Sequence, residues 1–202
     1  DLHDVSEVFG GTQSGMVADG LSSGSIMMAL PLKGLLGHLG TKAHDEEGAQ
    51  LPRLGRELAG AAKLAGVKGI FHADELPAYG ITEDEVKGVR DQLNLGQEDA
   101  FVLCCAPEWQ ANLALEATLN RARLAWHRIP QEVRNVVVKK GAPEDGTTSP
   151  MRPLPGRSRM YPETDVPPQR LSPEQWEDVV KDLPMSDAER AQRLSTYGMS
   201  VD

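Results

Sequence analysis

The chain has 202 residues and a formal net charge of -9, from 30 acidic and 21 basic side chains, and 40% of it is hydrophobic although only 4% is aromatic. That length suits one domain of moderate size plus further segments, with a core built from aliphatic side chains and alanine. The acidic balance argues against a general nucleic-acid coat while leaving room for a local basic patch, and the only two cysteines, adjacent at Cys104 and Cys105, exclude a disulfide framework and a zinc ribbon.

In chain order, residues 5–33 read as β structure broken by turns. Val5 to Phe9, Met16 to Ala18 and Gly24 to Leu30 are the apolar runs, with Gly10-Gly11, Asp19-Gly20 and Ser22-Ser23 between them. The first helix expected is Leu51 to Ala65, whose stripe is Leu51, Leu54, Leu58, Ala61, Ala62 and Ala65, stopped by Gly66. A strand follows at Gly69 to Ala73. Thr82 and Glu85 form a capping box for a helix continued by Val86, Val89 and Leu93. Ala100 to Cys105 is a short continuous apolar run, hence a buried strand. Pro107 then opens a long helix reaching about His127, with Trp109, Leu113, Ala117 and Leu124 as its apolar face.

Composition shifts after Lys140, because 141–170 holds half of the 14 prolines and so predicts an extended connector. Two capped helices come last, one at Ser172-Pro173-Glu174-Gln175 with Trp176, Val179 and Val180, and one at Ser186 to Glu189 that Gly198 ends. Two such helices cannot make a core alone and are expected to dock elsewhere. The whole predicts an α+β class: a two-layer sandwich, mainly antiparallel sheet with helices on one face. The expected divisions are 1–140, a Pro-rich segment over 141–170, and the start of a helical domain over 171–202.

Candidate chemistry concentrates near residue 160. Arg152, Arg157 and Arg159 form an acid-free run, and Glu163 and Asp165 follow, on one face of an extended chain. Oxygen ligands beside guanidinium donors hold Mg²⁺ and phosphate together; the plainer alternative is a Pro-stiffened linker with solvated charges. His72 with Asp74 and Glu75 offers acid/base or metal chemistry, against turn bonding by Asp74. Cys104 and Cys105 offer soft-metal ligands, against burial as small hydrophobes. Gly37-His38-Leu39-Gly40 matches the glycine loop of an RNA-binding KH module, a match of little weight without its helix pair. Arg121, Arg123 and Arg128 either contact RNA or simply complement a helix C-terminus in solvent.

Residues 69–81, Gly-Ile-Phe-His-Ala-Asp-Glu-Leu-Pro-Ala-Tyr-Gly-Ile, resemble the GAD domain, the insertion shared by bacterial-type aspartyl-tRNA synthetases and the E subunit of archaeal glutamyl-tRNA(Gln) amidotransferases. Val8-Phe9, Thr12-Gln13-Ser14 and Ala29-Leu30-Pro31 are similar to the start of that insertion in the amidotransferase. Residues 151–168 are similar to its return into the catalytic cradle, and no glycine-rich synthetase motif follows. The resemblance implies ATP and Mg²⁺ as cofactors of the intact parent, none of them tightly held by this piece. It implies tRNA(Gln) charged with Glu and the asparaginase-like D subunit, an amidase, as partners. Glu163 and Asp165 match the cradle's Pro-Glu-x-Asp and so become metal ligands, while Arg152, Arg157 and Arg159 become phosphate or tRNA contacts by chemical inference. The insertion is then expected to position tRNA or brace the cradle. The rival readings are a synthetase insertion and a non-catalytic interaction module.

No apolar run reaches 18 residues and Asp1 opens no signal peptide, so a cytoplasmic protein without membrane contact is expected. A chain opening on Asp1 without Met is expected to be a piece of something larger, inactive alone.

Overall fold

The computed structural model describes residues 1–125, 130–139, 142–154 and 170–199. The chain divides into two compact units, 1–154 and 155–202. In the first, a four-stranded sheet has the order β1-β2-β4-β3, from His3–Asp4 (β1), Ile26–Leu32 (β2), Phe71–His72 (β3) and Ala100–Ala106 (β4), and every pairing is antiparallel. The helices are Gly15–Ser22 (α1), Leu54–Lys63 (α2), Glu83–Gln92 (α3) and Glu108–Ala125 (α4). The α+β class with a mainly antiparallel sheet is therefore the one found.

The centre of the sheet is the β2–β4 pair, in register from Ile26 opposite Ala106 to Leu32 opposite Ala100. Both strands are buried along almost their whole length, which requires cover on both faces. The main helical layer is α2 with α4, and α4 also lies on β2 and β4. Further cover comes from α1, where the Sγ of Cys105 sits where a Cβ on Gly20 would fall, 2.6 Å away.

The β structure expected for 5–18 is helical instead: Ser6–Phe9 is a 3-10 turn and 15–22 is α1. Val5 and Phe9, four apart, are both fully buried, in keeping with that tight turn. Short apolar runs carry no decisive period, and tertiary contact settled this one. The expected strand over 24–30 is present as β2.

The long helix is present, but its buried face differs from the expected one. Ala111, Ala114, Leu115, Thr118 and Ala122 are buried, whereas Trp109, Leu113 and Leu124 are exposed. Small residues win that face because they let α4 approach Leu58 and Ala62 of α2 closely. In α2, Gly55, Leu58 and Ala62 face inward and Leu51 lies outside the helix; Gly66 ends the segment at φ 84, as a left-handed stop requires. Thr82 and Glu85 do form the capping box, with Thr82 N–H donating to Glu85 at 2.7 Å and Glu85 N–H to Thr82 at 3.3 Å.

Beyond α4, the strands Glu132–Lys139 (β5) and Ala142–Pro153 (β6) form a separate antiparallel hairpin. The stretch from 142 to 153 is thus extended as expected, but paired rather than a bare connector. The strands on either side of the expected 140/141 division, β5 and β6, pair with each other, and the first unit runs on to Leu154. In the second unit, Pro173–Lys181 (α5) and Asp187–Thr196 (α6) both carry capping boxes, from Ser172 with Gln175 and from Ser186 with Glu189, and neither helix buries a residue.

Candidate functional site

Of the residues singled out near 160, Arg157, Arg159, Glu163 and Asp165 lie outside the described residues, as does Arg128. Arg152 is described: it is exposed near the end of β6, opposite Val133. Among the described residues no three His, Cys, Asp or Glu side chains come together as a metal cage.

The imidazole and carboxylates after β3 have structural work. Asp74 accepts from the backbone N–H of Gly37 and of Gly40, at 2.8 Å each, so it ties down the glycine loop that resembled a KH motif. Glu75 accepts from His72 N–H at 3.1 Å. His72 is buried, and its ring leaves no room for a Cβ on Gly55, which would fall 2.6 Å from Nε2. Asp74 therefore bonds backbone amides, as the plainer reading had it, but those of a loop 34 and 37 positions away rather than of its own turn. The two segments that carry the GAD resemblance also meet. The Ser14 hydroxyl donates to the carbonyl of Tyr79 at 2.7 Å, and Gly80, at φ 82, lies so close to Ser14 that a Cβ would fall 2.7 Å from its Cα.

The cysteines are hydrophobes. Burial pushes the Cys104 thiol up to about 11 and raises that of Cys105, so neither is a thiolate near neutrality.

Arg121 corrects the expectation of a solvated or RNA-binding cation. It is buried, and its guanidinium meets both oxygens of Glu132 at 2.7 Å and also bonds Glu57. Arg134 closes the ring: it reaches Glu57 at 2.7 Å, bonds Glu132, and donates to the Thr148 hydroxyl at 2.8 Å. The two guanidiniums and two carboxylates join α2, α4, β5 and β6. Hydrogen bonds from Arg121 first, with Arg134 adding, hold the Glu132 carboxyl below its ordinary range. Hydrogen bonding to Glu132 foremost raises Arg121, against the cost of burial. Nothing in the sequence marked this network, since its members lie as far as 77 positions apart. Arg123, by contrast, is exposed as expected.

Beside this network, α2 and β6 wall a groove of about 650 Å³. Lys42, Arg53, Arg56 and Lys63 line it. Glu57, the one acid among the described lining residues, is already held by Arg121 and Arg134. None of the four cations forms an ion pair with a described residue. Positive charge was expected on α4; the structure gathers it on α2. The signal was available in the helical spacing of Arg53, Arg56 and Lys63.

Known proteins are similar to this chain in sequence. The GAD domain family matches residues 17–115, which span β2 to α4 and hold the Asp74 loop. The chain is 41% identical over 200 residues to the E subunit of glutamyl-tRNA(Gln) amidotransferase from Methanopyrus kandleri, covering 98% of this chain and 30% of that protein. Identity to the same protein of Methanothermobacter thermautotrophicus is 41% over 202 residues, 100% of this chain and 30% of that protein. Against that of Haloarcula marismortui it is 46% over 165 residues, 82% of this chain and 25% of that protein. The chain thus spans less than a third of the length of each of these relatives. Among the described residues no helix is long and apolar enough to cross a membrane. With likeness along nearly its whole length and the GAD match over its central fold, the chain belongs to the GAD-containing E-subunit family of glutamyl-tRNA(Gln) amidotransferases.

Proposed function

We propose that this chain works within a cytoplasmic tRNA-dependent amidotransferase that converts Glu-tRNA(Gln) to Gln-tRNA(Gln). The observation that carries the reading is 41% identity to an amidotransferase E subunit over 98% of the chain. In this reaction the glutamate γ-carboxylate takes the terminal phosphoryl group of ATP, releasing ADP. Ammonia from the D subunit then attacks the activated carbonyl, and phosphate leaves. Glu163 and Asp165 would hold magnesium, which would supply positive charge to offset that on the transferring group.

The described residues contribute a frame to that chemistry. The sheet and the α2–α4 layer form a folded insertion that positions tRNA or braces the cradle. Glu163 and Asp165 are proposed as metal ligands, and Arg152, Arg157 and Arg159 as phosphate or tRNA contacts. No chemical step is assigned to the described residues themselves.

The test is amide formation by the full-length protein paired with its D subunit, at limiting Mg²⁺. Glu163→Ala and Asp165→Ala are expected to lower it, with partial recovery at high Mg²⁺. Normal amide formation by both variants would favour an interaction module instead.

A further inference from the structure

We infer that the groove between α2 and β6 seats the phosphodiester backbone of RNA. The inference rests on the tRNA reading above and adds a place for the contact. Arg56 and Lys63, seven positions apart, share one stripe of α2; Arg53 stands at the N-cap just before it, and Lys42 joins them from a separate loop. From Arg56 to Lys63 the helix rises about 10 Å, at about 1.5 Å per residue, long enough to lie beside more than one phosphate of a strand. Gly60 lies within the stripe, and a Cβ there would meet nothing within 4 Å, so a sugar-phosphate chain can come close.

One further observation favours an anionic guest: the groove's own acid is neutralised in place, because Glu57 is shared by Arg121 and Arg134. On a chain of net charge -9 such a stripe is a local reversal of sign.

The test uses the full-length protein and unacylated tRNA(Gln), with Kd measured across a salt series. Arg53→Glu with Arg56→Glu is expected to weaken binding at least about tenfold and to reduce the salt slope by about 2, for two lost phosphate contacts. Arg53→Lys with Arg56→Lys keeps the slope. Lys42→Ala with Lys63→Ala, both at exposed positions, guards against misfolding and is expected to lower the slope by a similar amount. Unchanged affinity and slope in both charge-removing pairs overturns the inference. So does a loss of D-subunit binding with tRNA binding intact, which would give the groove to a protein. Failure of the unaltered protein to support amide formation, with the slope losses still seen, would sink the proposed reaction and leave the groove standing.

Discussion

Helix α3 and the helices α5 and α6 begin with the same device, a Ser or Thr cap answered by a Glu or Gln three residues on. Only α3 buries anything: Glu85 and Val89 are buried, and Gly88 fits against Val8 where a Cβ would fall 2.8 Å from a methyl. Along α5, Trp176, Val179 and Val180 stay exposed. A cap satisfies orphan amides and sets where a helix starts, but tertiary stability comes from the face it buries. The same local chemistry therefore gives a core element in one unit and a surface helix in the other.

The largest effects that would sharpen this contrast lie in the first unit. Gly80→Ala asks for a side chain at φ 82 with its Cβ against the Ser14 backbone, and a loss of about 3 kcal/mol or more is expected in denaturant unfolding. An equally stable variant would mean that the 12–14 and 69–81 segments do not meet as described. Arg121→Ala leaves the Glu57 and Glu132 carboxylates to Arg134 alone, and a loss of about 2 kcal/mol is expected. A change near zero would reduce the network to surface pairs.

Smaller effects test the caps directly. Thr82→Ala is expected to cost about 1 kcal/mol of first-unit stability. Ser172→Ala and Ser186→Ala are expected to lower helix content measured by circular dichroism without moving the first unit's unfolding midpoint. A midpoint shift as large as that of Thr82→Ala would break the comparison. The pH response is last. Glu132 is lowered when folded, so its stabilising share is full above the ordinary carboxylate pKa and is lost as pH falls through the lowered folded value. Stability measured below about pH 4.5 is accordingly expected to fall less steeply in Glu132→Gln than in the unaltered protein. Parallel curves would contradict the ion pairing.

Much of this molecule was written locally. The capping boxes at Thr82, Ser172 and Ser186, the Gly66 stop, the buried strand over 100–105 and the helix after Pro107 each depend on residues within a turn or a strand of one another. Such signals survive in any context, because hydrogen-bond geometry and apolar runs act at short range. The GAD motif over 69–81 was equally legible as a string.

What the sequence left undecided was which distant partner a side chain meets. Residues 15–22 are a helix rather than a strand, and its Gly20 packs against the Cys105 sulfur from a strand far along the chain. The inward face of α4 went to alanines, since close approach to α2 outweighs the size of Trp109 and Leu113. Arg121 left solvent because Glu57, Glu132 and Arg134 arrive from other elements. The basic groove likewise exists only once β6 stands beside α2. Burial and charge pairing are properties of assembled surfaces, and those surfaces form only when distant segments of the chain come together.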